Sequence, residues 1–356
     1  MIMSSPKADT RTLTYGQALL EAARLEMARD PGVFVLGLGV DDAKGMYGTT
    51  ANLHTEFGAD RCFDTPLAED AMTGFSIGAA MAGMRPIHVH QRMDFLLLCM
   101  NQLVNMAAKS SYMFSGAVSV PLVVRAIIGR SWGQGAQHSQ AFHSYFMHVP
   151  GIKIFAPTTP YDAKGAMIAA IRDPNPVIFM EHRMLYSFTG IVPEQSYEVP
   201  FGRARLLTHG KHVTIVAVSY MVAEALRAKH LLDEVGIEAE VIDPVSLAPL
   251  DTDTICESVS RTGRLLVVDT SWLTCGFSSE ILAQTMERLG GRQAFQAKRM
   301  GYAPTPCPTT KPLENEFYPN ARTIALAAHA MIKGDTAQWK IEVQEPREIA
   351  EFKGPF

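Results

Sequence analysis

The stretch DTPLAEDAMTGFSIGAAMAGMRPIHVH, Asp64–His90, decides the fold. An acid pair, Glu69 and Asp70, opens a run of about 14 uncharged, mostly small or apolar positions from Ala71 to Met84, and RPIHVH follows directly. Pro66 suits the first turn of a helix, and carboxylates near a helix N-terminus are favoured by the macrodipole. Gly74, Gly78 and Ala82 recur every four residues, giving a smooth face that another backbone can approach closely. The pattern predicts a helix over Leu67–Met84 and a strand over Arg85–His90. On physical grounds alone Glu69 has two readings, a dipole-favoured acid on a buried helix or a functional carboxylate.

The same alternation extends in both directions. VFVLGL (Val33–Leu38), VPLVVRAII from Val120, KIFA from Lys153 and VIFME from Val177 read as strands. Tyr15–Arg29, Phe95–Ser110 and Tyr161–Arg172 read as helices. Near-continuous apolar strands between helices imply an α/β fold with a mostly parallel sheet covered on both faces. A polar, proline-bearing stretch follows, about Gly190 to His212, and alternation then restarts. VTIVAVS, a helix from Tyr220, AEVID, a helix from Thr252, RLLVVD, a helix from Phe277 and QAKRM predict a second, smaller α/β domain. The expected division is residues 1–195, a linker at 196–212, residues 213–335 and a charged, peripheral tail at 336–356.

Of 356 residues, 47% are hydrophobic and 19% charged, with net charge -4. This suits two globular domains able to bury a large core, and no basic run marks a nucleic-acid surface. Five cysteines without CxxC spacing argue against a disulfide framework or structural zinc and favour a reducing cytoplasm. The N-terminus lacks a secretory layout, and no apolar run approaches the roughly 20 residues of a membrane span.

Phosphate-loop signals are incomplete. Gly37-Leu38-Gly39 follows a strand, but Asp42 stands where the third glycine of GxGxxG belongs, and Lys44-Gly45 lacks P-loop spacing. The chain has no evident phosphate cradle of its own. His138, His143 and His148 are five apart, which spreads them around a helix instead of stacking them as ligands. His138 stands apart because it follows the glycine-bearing loop GRSWGQGAQ, where strand-end loops carry function in such sheets.

DTPLAEDAMTGFSIGAAMAGMRPI, QLVNMAAKS, AQHSQAF, DAKGAMIAAIRDPNPVIFMEH, VIDPVSLAPLD and LLVVDTSWLTCGFSSEI, in this order, resemble one family. They are similar to the β subunits of thiamine-diphosphate-dependent 2-oxoacid dehydrogenases of the pyruvate, branched-chain and acetoin types, in register from about Thr12 to Ala330. The resemblance implies a pyrimidine-binding domain and a transketolase C-terminal domain, paired with a separate α subunit in an α2β2 assembly. The α subunit would hold Mg2+ and the diphosphate.

The resemblance assigns Glu69 to the cofactor's pyrimidine nitrogen, where a carboxylate favours the tautomer that takes the thiazolium proton. A water-poor surround would keep that transfer within the site. The resemblance makes Asp70 a helix-start charge only. Phe95 would pack on the pyrimidine ring. His138 would face the thiazolium and substrate, with Gln91 beside it. Leu122, Ala170, Ile171, Asp173 and Asn175 match positions that hold K+ in several members, mostly through carbonyls. Pro174 departs from that pattern.

Other departures touch function. Gly37-Leu38-Gly39-Val40 stands where the family carries two acids, and Asn101-Gln102 replaces an Asp-Gln pair. These acids line a proposed polar tunnel between active sites, and Asp41 or Asp42 are the available substitutes. Gln91, Arg92 and Asp94 differ from the pyruvate and branched-chain enzymes, which points to another substrate. The expected reaction is decarboxylation of a small 2-oxoacid, or cleavage next to a carbonyl, with the acyl unit passed to a lipoyl-bearing acyltransferase. The alternatives are a split transketolase-like enzyme using a carbonyl acceptor, a non-catalytic scaffold subunit and, more remotely, a free-standing nucleotide-binding protein.

Overall fold

A computed structural model describes residues 10–130, 133–334 and 339–351. Three sheets organise the described residues. The largest has seven strands in the order Ser246–Ala248, Lys153–Phe155, Val177–His182, Val123–Ile128, Arg85–His90, Val33–Gly37 and Cys62–Phe63. All pair in parallel except Ser246–Ala248, which is antiparallel at one edge. A five-stranded sheet runs Gln296–Tyr302, Arg264–Trp272, Val213–Ala217, Ala239–Asp243 and Arg205–Thr208, only the last pair antiparallel. Thr10–Thr14 pairs antiparallel with Thr189–Pro193 in a small ribbon.

Local chemistry explains several boundaries. Helix Tyr15–Arg29 begins at a capping box in which Thr14 and Gln17 satisfy each other's backbone N–H. Thr159 caps helix Pro160–Arg172, with Pro160 in its first turn. Strands Val123–Ile128 and Val177–His182 are buried along their whole length, including Arg125 and Glu181. That charge pair is bidentate, with N–O distances of 2.5 and 2.8 Å, and Thr49 and the Tyr186 hydroxyl complete it. Burial is tolerated because both carboxylate oxygens and the guanidinium Nε and Nη2 are met.

Three expectations change. Residues 196–212 are not a plain linker: Arg205–Thr208 adds an edge strand to the second sheet. The helix expected over Phe95–Ser110 is a 3-10 turn at Met93–Cys99, a wider π turn at Gln102–Ala107 and an α turn at Ala108–Met113. The tail packs where it is described: Glu348 accepts from the Tyr220 hydroxyl and from Arg227, and Ile349 is buried. Residues 1–9, 131–132, 335–338 and 352–356, including Ser131 and Trp132 of the glycine-bearing loop, lie outside the described residues.

The two large sheets are locked together. His143 Nε2 lies 3.1 Å from Asp269 Oδ1, both fully buried, and Ser271 donates to the Ala141 carbonyl. Thr158 donates to the Ser219 carbonyl, and Arg205 pairs with Asp162. Among the described residues no helix is long and apolar enough to cross a membrane.

Candidate active site

A cavity of about 740 Å³ opens at the C-terminal ends of strands Val33–Gly37, Arg85–His90 and Val123–Ile128. Ligands in open α/β sheets bind at such strand ends. Leu38 leaves the first strand, His88 to Arg92 the second, and Gln134 and His138 the loop after the third; Thr65 to Glu69 and Met72 close another side. Glu69, Gln91, Phe95 and His138 therefore share one cavity, and Glu69 is the only acid among its described lining residues.

Glu69 is half-buried at the first position of helix Glu69–Met81 and accepts no hydrogen bond from a described residue. Asp70 is exposed and turns back to its neighbour's backbone N–H. Phe95 and His138 meet edge to face, with ring centroids 5.3 Å apart. Gln91 Nε2 donates to the Leu38 carbonyl at 3.1 Å and so ties two strand ends together. The three sequence histidines separate: His138 lines the cavity, His143 is buried on Asp269, and His148 is exposed.

Two further histidines, which the sequence marks only as strand residues, line the cavity. His88 and His90 lie two apart on one strand, hence on one face, with ring centroids 4.2 Å apart. Their nearest polar partners are Ser76 and Thr73. Burial pushes His88 down to about 4; His90 lies well below the usual histidine value, through burial first and then neighbouring His88. Both are neutral near pH 7. The signal in HVH was its period of two at a strand's C-terminal end.

The segments that carry the five positions associated with K+ meet where 120–122 packs on 174–177. Val177 N donates to the Leu122 carbonyl, and Val120 N to that of Pro174. Arg85 Nη1 donates to the carbonyls of Ile171 at 2.8 Å and Asp173 at 3.3 Å, so these two oxygens face one point. The Asp173 carboxylate is held by Lys153 and by Asn175 N. Each carbonyl keeps a second lone pair, so the donor set suits a hard monovalent ion, though Arg85 already supplies positive charge. Asp41 and Asp42 are exposed and do not line the cavity.

The family described as transketolase, pyrimidine binding domain, matches residues 11–189, and the transketolase C-terminal domain matches 202–324. The acetoin:2,6-dichlorophenolindophenol oxidoreductase β subunit of Cupriavidus necator is 44% identical over 91% of this chain and 98% of its own length. Its Bacillus subtilis namesake is 38% identical over 87% and 94%. The mitochondrial pyruvate dehydrogenase E1 subunit β-2 of Oryza sativa is 38% identical over 90% and 86%. A solved split-gene transketolase, described as an inactive β4 tetramer, shares the fold with a TM-score of 0.73 at 22% identity, covering 89% of this chain and 96% of that one. With both domains matched and relatives aligned along nearly the whole length, the chain belongs to the β subunits of thiamine-diphosphate-dependent 2-oxoacid dehydrogenases.

Proposed function

We propose that this chain forms one wall of a thiamine-diphosphate site whose other wall is a separate α subunit, in an α2β2 assembly. The observation that carries the reading is the convergence of Glu69, Gln91, Phe95 and His138 on one cavity with a single acid. The residues fit the cofactor's pyrimidine end: an unengaged carboxylate, a flat aromatic face and an apolar surround of Leu38, Met72 and Leu98. When bound, the cofactor supplies a carbon nucleophile and an electron sink.

Glu69 would hold the pyrimidine nitrogen and steer its proton. Phe95 would fix the ring plane without competing for that proton. His138, braced on Phe95, would face the substrate carbonyl with Gln91 beside it. The cavity rim carries the exposed apolar residues Leu67 and Leu98, so a partner surface is needed to exclude water. We place Mg2+ and the diphosphate on the α subunit, and K+, if bound, at Leu122, Ala170, Ile171, Asp173 and Asn175. The acyl unit would pass to a lipoyl-bearing acyltransferase. The unpaired thiols suit the cytoplasm. The functional units are residues 1–195 and 213–335, the second extended by the edge strand Arg205–Thr208 of its sheet.

Thiamine diphosphate with Mg2+, titrated calorimetrically into this chain alone and with its α subunit, tests the reading. Binding only by the pair is expected; binding by this chain alone, or by neither, overturns it. Glu69→Gln should fold normally, since Glu69 holds no described neighbour, yet lose at least about a hundred-fold in turnover. Near-normal turnover would remove Glu69 from its role. Replacing K+ with tetramethylammonium should lower the melting temperature by a few degrees, because a ligand bound only by the folded state stabilises it; equal melting temperatures would remove the ion.

A further inference from the structure

The chain end that leaves Arg85–His90 carries a second chemistry into the cavity. Arg92 lines it, is 9% exposed, and spends one N–H on the carbonyl of its neighbour Gln91, at 2.6 Å. Its Nε is buried without a partner. Among the described residues no carboxylate lies within ion-pair distance of it, whereas the buried Arg125 and Arg130 are paired with Glu181 and Glu314. A second buried guanidinium stands near. Arg183 donates to neutral oxygens only, those of Gln134, His138 and Ile128. It is held below the usual arginine range by burial first and by Arg92 next. The nearby Asp94 spends one oxygen on the Gln140 backbone and side chain and leaves the other buried without a partner; it acts on Arg183 from a distance and touches neither guanidinium. Two buried cations with no carboxylate in contact among the described residues are costly unless an anion joins them.

We propose that Arg92 seats a second acidic group on the substrate, so that the enzyme acts on a 2-oxoacid bearing a further carboxylate, sulfonate or phosphonate. This rests on the 2-oxoacid reading above. The carboxylate next to the carbonyl is a poor occupant for Arg92. It must leave as CO2, and a cation that stabilises it in the ground state opposes its loss. A distal acid keeps its charge throughout. Arg92 then holds ground state and transition state alike, which lowers KM and leaves kcat to the cofactor end of the cavity. A planar guanidinium with free N–H donors matches all three kinds of acid, the carboxylate and phosphonate by paired hydrogen bonds.

The test uses the assembled enzyme with thiamine diphosphate and Mg2+, assayed with a dye acceptor. Pyruvate and 2-oxobutyrate are compared with 2-oxoglutarate, sulfopyruvate and phosphonopyruvate, the last three separating the kinds of acid. At least one of these dianions should exceed both monoanions in kcat/KM by about ten-fold or more. In Arg92→Leu that ratio should collapse, with the loss in KM, and Arg92→Lys should recover part of it. Glutarate, methylphosphonate and butyrate, titrated calorimetrically without turnover, read the seat directly: at least one of the first two should bind the wild type and not Arg92→Leu. Monoanions preferred by the wild type, or equal losses for both classes in the variants, would overturn the proposal. Turnover of no 2-oxoacid, with anion binding intact, would instead sink the reaction reading.

Discussion

Two helices of thirteen residues, Glu69–Met81 and Pro160–Arg172, look alike on paper, each threaded with glycine and alanine. Their surroundings differ. Pro160–Arg172 is capped by Thr159 and buried along nearly all its length; even Lys164 is enclosed, on Glu21 and the carbonyls of Pro193 and Glu194. Gly165 leaves room for Tyr197 and Val199, whose atoms would lie 2.6–2.7 Å from an added Cβ. Glu69–Met81 has no side-chain cap and buries only Thr73, Ser76, Ile77 and Ala80. An added Cβ at Gly74 or Gly78 would meet open space, and Phe75 and Met81 are exposed. One small-residue helix is completed by its own chain, the other is left for something else to complete. Small residues thus mark close approach without saying whose backbone approaches.

Substitution can break this contrast. Gly165→Val should cost about 3 kcal/mol through overpacking against Tyr197 and Val199, read as a lower melting temperature of the isolated chain. Gly74→Val should barely move that temperature but weaken association with the α subunit ten-fold or more, about 1.4 kcal/mol, measured by calorimetry. If both variants destabilise the isolated chain equally, the helices are not different in kind. A pH effect belongs to the cavity wall. Folded His88 resists protonation down to about 4, whereas the unfolded chain takes up that proton near the ordinary histidine value. Stability should therefore fall as pH drops from about 6.5 toward 4, by roughly 1 kcal/mol per unit, and the slope should flatten in His88→Gln. An unchanged slope would remove His88 as its source.

What was legible in the residues follows from range. Helix Tyr15–Arg29 and strand Arg85–His90 begin and end where local signals place them, because a capping box and a proline-led apolar run act over a few residues. Arg205–Thr208 and Ser246–Ala248 were hidden: each is short, and its partner lies far along the chain. The helix expected from Phe95 breaks at turns that no proline or glycine announces. For the site, resemblance carried Glu69, Phe95 and His138, and the structure brings them to one cavity. His88 and His90 carried no such mark, since alternate histidines in a strand reveal a face only once the sheet's edge is known.

The strand Ser246–Ala248 also sets a schedule. Chains are made from the N-terminus, and domains tend to fold as they emerge. Here the largest sheet ends at Lys153–Phe155 with an open ladder until Ala248 has left the ribosome. In the meantime that edge is a template for any other unfinished chain. A gene fragment stopping at 212 would make the gap permanent and should yield aggregated protein, so the N-terminal half is not a portable part.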